Sequence, residues 1–277
     1  MKENSMPTRG ILGEQHNEAH VAHRRRDYRP WLVPVSIFLG IFAWWLATRL
    51  GGLPPFILPS PGLVLQRFVQ ALQDGSLLGN LFVTTQEVLA GMAIGVFTAT
   101  ALGYLLAKSP VVERLLSPYV VASQAIPIVA IAPLLVIWFG SGITSKILIT
   151  ALIVFFPVLI NTIVGLRSVP EDLRDLMRSL LANSWQTFSK LEVPAALPVF
   201  LGGVKIGVTL SVIGAVVGEF VGADRGLGFM INQARGQYDT AMVFVAVLTL
   251  VVLALGLYWI VVLFEKRLLS WQQRSEE

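Results

Sequence analysis

The sequence contains no cysteine, which excludes disulfides, thiolate metal sites and a cysteine nucleophile while leaving the compartment open. Charge is scarce. Asp, Glu, Lys and Arg make up 14% of the 277 residues, where soluble domains carry about 25%. A chain of this length can bury a large core, but a water-facing exterior would need more charge than this. No GxxxxGK[ST] run occurs, so the chain lacks that route to binding ATP. No Ser-His-Asp set or pair of carboxylates can be assembled on the apolar runs, and no catalytic centre is expected. The only histidines, His16, His20 and His23, have a spacing that suits a metal on a helix. They lie in a polar, basic tail that resists ordering, so no metal site is expected. The sequence pI is about 9.6, yet no basic stripe is interleaved with aromatics, and no nucleic-acid partner follows.

Apolar residues fill the space that charge leaves: 55% of the chain is hydrophobic and the mean hydropathy is +0.69. Lipid is the solvent that asks for no polar surface. A bilayer core needs about 20 apolar residues per helix. Six runs qualify, at 31–50, 82–107, 116–139, 146–166, 197–221 and 241–264. The expected fold is an all-α polytopic membrane protein with six transmembrane helices. Residues 1–30 form a polar basic tail with no signal-peptide core, and the run from Trp31 reads as an uncleaved anchor. Residues 31–264 form the membrane domain and 265–277 a second tail. In the third run, Pro127 and Pro133 either break the helix, which needs a protein-lined cavity, or kink it, the milder reading.

Placing the N-terminus in the cytoplasm puts fifteen basic residues inside and five outside, with Lys205 embedded. That bias supports an even number of spans, with both termini at the cytoplasmic face. Small residues recur every four positions in the second run, at Gly91, Gly95, Ala99 and Gly103. The fifth run carries Gly203, Gly207, Ser211 and Ala215, with a further row at Gly214, Gly218 and Gly222. Such rows let helices approach closely in lipid, in the packed interior or at a subunit interface.

The segment 167–198 between the fourth and fifth runs is the longest internal cytoplasmic one. Ser168 and Glu171 have capping-box spacing. Leu173, Leu176, Met177, Leu180 and Leu181 make one apolar stripe, opposite Asp172, Arg174, Asp175, Arg178 and Ser179. Asn183 can take the left-handed geometry that ends a helix. Ser184 can cap a second short helix, which Pro194 stops. A pair of short amphipathic helices either lies on the membrane surface or docks into a groove on a partner.

This segment resembles the EAA loop of bacterial ABC importer permeases. Asp175 takes the acidic place, Leu181 stands where Gly is usual, Ala182 follows, and Leu191, Val193 and Pro194 come nine residues on and lead into PAALP. LPSP at 58–61, PLLVIWFGSG at 133–142, GEF at 218–220 and GLG at 226–228 extend the likeness over most of 57–264. The nearest branch is that for sulfonates, taurine, nitrate, riboflavin and pyrimidine vitamin precursors. The resemblance implies that Asp175, Arg178, Leu181, Ala182, Asn183, Leu191 and Pro194 belong to a loop seated in a cleft of a separate cytoplasmic ATPase dimer, which binds the ATP. This chain would need no cofactor of its own. It also implies an extracytoplasmic solute-binding protein and a homodimer of this permease in the bacterial inner membrane. Leu176 and Met177 replace two usual alanines. Leu181 cannot make a tight turn cheaply, so Asn183 is expected to supply it.

Four polar residues inside the runs are candidates for the pathway or a gate: Gln124, Asn161, Lys205 and Glu219. Each has a plainer reading. Gln124 and Asn161 can bond across helices, Lys205 can snorkel and Glu219 can reach interfacial water. Glu87 is expected to be interfacial. Glu87 and Glu219 toward the outer face, with no Arg in the hydrophobic centres, disfavour small inorganic anions. The expected solute is a vitamin-like heterocycle such as riboflavin or a pyrimidine, with sulfonate, taurine or nitrate as the alternative. A secondary transporter or channel would show an internal repeat and mid-membrane ion-coupling residues, and neither is seen.

Overall fold

The computed structural model of the protein describes residues 32–52 and 54–270. His16, His20, His23 and Trp31 lie outside that range. The chain divides into two units, 1–44 and 45–277. In the first, the described part belongs to helix α1 (Leu32–Leu50), where Phe38 stacks on Phe42 at 6.3 Å.

The second unit is helical throughout its described residues. Helix α2 (Pro61–Gln73) is opened by Ser60, whose hydroxyl accepts from the Leu63 amide, and by Pro61 in the first turn. Then come α3 (Ser76–Lys108), α4 (Pro110–Gln124), α5 (Ile128–Phe139) and α6 (Ile143–Arg167). The short α7 (Glu171–Ser179) and α8 (Ser184–Thr187) precede a π-helical turn (Phe188–Glu192). The chain ends in α9 (Val193–Gly222), α10 (Leu227–Gly236) and α11 (Thr240–Leu268).

Helix α6 is the centre of this unit, flanked by α3 and α9, and glycines set both contacts. A Cβ on Gly91 would stand 2.5 Å from the Thr150 side chain, on Gly95 2.7 Å from the Ala151 carbonyl, and on Gly103 2.8 Å from Thr162. On the other side, a Cβ on Gly203 would meet Asn161 at 2.6 Å, on Gly207 Val154 at 3.1 Å, on Gly214 the Thr150 backbone at 2.8 Å, and on Gly218 Lys146 at 3.0 Å. Between apolar helices in lipid there is little hydrophobic drive to associate, so close backbone approach supplies the attraction. Val154, Val158 and Leu159 are fully buried on α6. The small-residue rows on α3 and α9 thus face the intervening fourth run rather than each other.

The register of these contacts fixes direction. Positions 91 and 103 meet 150 and 162, so α3 and α6 run parallel, whereas 203 and 218 meet 161 and 146, so α9 runs antiparallel. The chain must therefore return between α3 and α6, and α4 with α5 make that return. They are bent by 96° at a short break. This is a break and not the milder kink, because Ala125 and Ile126 form a turn and Pro127 has no N–H to continue the ladder. Four helices are long and apolar enough to cross a membrane, or five if the bent pair is one span. The apolar α1 is shorter in its described residues, so these give four to five of the six spans predicted.

Candidate functional site

The two ends of the second unit carry different constructions. At one end, α7 and α8 project from α6 and α9. The expected capping box is absent. Ser168 closes α6 by donating to the Gly165 carbonyl at 2.8 Å, and Pro170 leads into α7. Glu171 and Asp172 sit in the first turn and Arg178 in the last, matching the helix dipole. The exposed Asp175–Arg178 pair, 2.8 Å apart, adds little in water. Arg174 is half-buried and donates to the Leu166 carbonyl at 2.8 Å, which ties α7 back to α6.

The turn between α7 and α8 differs from expectation. Leu181 itself takes the left-handed conformation at φ +52°. Its amide donates to the Arg178 carbonyl and that of Ala182 to the Met177 carbonyl, the Schellman pattern that closes a helix. Asn183 instead opens α8. Its side chain accepts from the Gln186 amide at 2.8 Å, and the Gln186 side chain accepts from the Asn183 amide at 2.9 Å. Ser184 is the first residue of α8 and not its cap. Pro194 does not stop the second helix either. It occupies the first turn of α9, where a missing N–H costs nothing, and the chain passes into α9 through the π turn.

This pair of helices leaves its apolar residues uncovered. Leu173, Leu176, Leu180 and Trp185 are exposed, and Leu181 is 91% exposed. Side chains that large, left open between Leu173 and Trp185, form an apolar surface with no cover in the single chain.

The opposite end carries a buried polar cluster. Glu219, 1% exposed, accepts from the Thr84 hydroxyl at 2.6 Å and from the Gly228 amide. Thr84 in turn accepts from the Leu227 amide at 2.8 Å, and Asn80 accepts from the Gly226 amide at 2.7 Å. Only glycine fits this cradle, since a Cβ on Gly226 or Gly228 would fall 2.3 or 2.7 Å from the Glu219 carboxylate. Lys146 is also buried and donates to the carbonyls of Ser141 and Gly222, closing the loops around the cluster. Glu87 is 2% exposed beside Glu219, and its Oε2 has no partner.

The four pathway candidates do not converge. Gln124 is exposed at the end of α4, where the chain bends. Asn161 donates to the Pro157 carbonyl at 2.8 Å and packs beneath Gly203. Lys205 is paired with both oxygens of Glu265 on α11, at 2.8 and 2.9 Å. Glu219 lies fourteen residues farther along α9, about 21 Å by helix rise. Sequence reasoning missed Thr84 as the partner of Glu219, and Asn80 and Lys146 as the residues that hold the loops around it. The one signal for them was the glycine pair seven and nine residues after that glutamate.

Residues 91–270 match the family described as binding-protein-dependent transport system inner membrane component. The chain is 47% identical over 240 residues to a riboflavin transport system permease protein of Chloroflexus aurantiacus, covering 87% of this chain and 90% of that one. It is 36% identical over 252 residues to a formylaminopyrimidine transport permease protein of Halalkalibacterium halodurans, covering 91% and 100%. It is 33% identical over 245 residues to a putative aliphatic sulfonates transport permease protein of Bacillus subtilis, covering 88% of each. Among solved structures, the MetNI methionine ABC transporter in an inward-facing conformation is similar in fold, with a TM-score of 0.60 at 20% identity, over 72% of this chain and 96% of that one.

Proposed function

The chain belongs to the family of binding-protein-dependent transport system inner membrane components, and from that premise we propose that it is a permease that imports a vitamin-like heterocycle. Membership makes it a membrane subunit of an ABC importer. The finer reading is that α7 and α8 face the cytoplasm and seat in a cleft of a separate ATPase dimer, which supplies the work. The observation that carries this is the uncovered apolar surface from Leu173 to Trp185, held on a rigid double cap at Leu181 and Asn183. A cleft-binding helix pair needs such a surface, and ATP-driven closure of the partner would move it as a rigid body.

Two copies of the chain would enclose the path, and a solute-binding protein would deliver cargo at the end where Glu219 lies. The identity to permeases named for riboflavin and formylaminopyrimidine, higher than to one named for sulfonates, favours a riboflavin- or pyrimidine-like solute. The test is reconstitution with the ATPase and binding protein from the same source, screening riboflavin, formylaminopyrimidine, taurine and an alkanesulfonate for stimulation of ATP hydrolysis. Stimulation by a flavin or pyrimidine supports the reading, and stimulation by taurine or a sulfonate alone overturns the solute assignment. Asp175→Lys, which reverses charge on the exposed face of α7, is expected to lower ATPase co-purification at least tenfold with membrane insertion intact. Unchanged co-purification and uptake would count against the docking role.

A further inference from the structure

The π turn and the end of α3 carry a second construction that docking alone does not require. Phe188, the first residue of the π turn, packs edge-on against Tyr104 of α3, with ring centroids 5.4 Å apart and planes at 86°. Trp185 of α8 packs on the same Phe188 at 5.6 Å. One turn along α3, Lys108 stands 5.8 Å over the Tyr104 ring and pairs with Glu192, the last residue of the π turn. Trp185, Phe188, Tyr104, Lys108 and Glu192 thus form an unbroken chain of contacts between α8 and α3.

Stability does not account for Glu192. It is 1% exposed and its Oε2 has no partner. A buried carboxylate satisfied at one oxygen is costly, and an apolar side chain would fill the place with less penalty. What the pair does supply is direction, because a single charged contact fixes the rotation of one helix against another. It does so across the π turn. The Val193 amide bonds the Phe188 carbonyl five residues back, and single π turns of this kind occur often at functional sites. The tie of α7 is separate and runs to α6 through Arg174.

We propose that Lys108 and Glu192, with the Tyr104–Phe188 contact, form the joint that converts displacement of α8 into movement of α3. They are positioning residues, acting through the helices they join. This rests on the reading of α7 and α8 as the surface moved by an ATPase, and its test separates the two. In the cysteine-free full chain in lipid nanodiscs, spin labels go on Ser184→Cys of α8 and Ala93→Cys of α3, both exposed sites. Diluted with unlabelled chain so that only distances within one chain are read, the parent gives one narrow distance distribution. Lys108→Met and Glu192→Gln each broaden it at least twofold, and Lys108→Arg restores the parental width. Unchanged widths in both Lys108→Met and Glu192→Gln overturn the joint. If Glu192→Gln does not fold, the exchange variant Lys108→Glu/Glu192→Lys, which rebuilds the pair, is expected to keep the parental width, and broadening equal to that of Lys108→Met overturns the joint. In the reconstituted complex, Lys108→Met keeps ATP hydrolysis within twofold and lowers solute moved per ATP at least tenfold. A fall in ATP hydrolysis and in uptake by the same factor, with solute moved per ATP unchanged, overturns the proposal, since loss of docking or folding would produce it. Failure of the parent chain to bind any ATPase sinks the docking reading alone, because the label distances are measured without a partner.

Discussion

Gly226 carries more of the structure than its size suggests. At φ +116° it occupies backbone territory that side chains rarely enter, and its missing Cβ is what lets Glu219 reach the Gly228 amide. Gly226→Ala is expected to cost about 3 kcal/mol from strain and overlap together. Gly256 on α11, where a Cβ would meet nothing within 4 Å, is the matched control. Gly256→Ala should leave stability unchanged or raise it by up to about 1 kcal/mol through helix propensity. Thermal unfolding in detergent, followed by tryptophan fluorescence, measures both. The same experiment applies to Glu219→Gln. The amide group must either face the Gly228 N–H, donor against donor, or turn its N–H to Thr84, whose hydroxyl then loses the acceptor it donated to, and a loss of about 1–3 kcal/mol follows. The glutamate and both glycines were legible in the sequence, but their meeting was not. Their partners, Thr84 and Asn80, come from a helix about 140 positions earlier, and no local period encodes a contact at that separation.

Helix α7 ends on a leucine in a conformation that glycine prefers. Leu181 is 91% exposed, so burial does not hold it there. The Schellman bonds of Leu181 and Ala182 do, against a steric cost of about 1–2 kcal/mol. Leu181→Gly is therefore expected to match or exceed the parent in stability, and Leu181→Val to fall below it by about 1 kcal/mol, because a branched Cβ fits φ +52° worse, as thermal unfolding would show. A valine variant as stable as the parent would show that the turn is not left-handed. The existence of two short helices here was readable from hydrophobic period alone. Their caps were not, since Ser, Asn and Pro each have two roles near a helix end and the choice depends on which neighbour competes for the same amide. Ser168 was lost to the Gly165 carbonyl, Asn183 was freed to open α8, and Pro194 became a first-turn residue once the π turn carried the chain past it. The break between α4 and α5 was ambiguous for a similar reason, as a proline permits either outcome: the chain breaks at Pro127 and runs helical through Pro133.

At the scale of the whole molecule, the parallel and antiparallel contacts place Ser184 and Tyr238 at opposite ends of the unit, since α8 leads into the start of α9 and Tyr238 follows its far end through α10. Absence of cysteine makes this simple to check. In intact cells a membrane-impermeant maleimide should modify the Tyr238→Cys variant and spare the Ser184→Cys variant until the membrane is opened, and the reverse pattern would invert the proposed orientation. Helix α3 spans the same distance without interruption. Its 33 residues reach about 50 Å, holding Glu219 through Thr84 near one end and Glu192 through Lys108 at the other. A helix turns about 100° per residue, so these two grips are phased by the number of residues between them. Inserting a single alanine after Val96 would leave each grip chemically whole yet twist one out of alignment with the other, as a shaft does when its keyway is cut at the wrong angle.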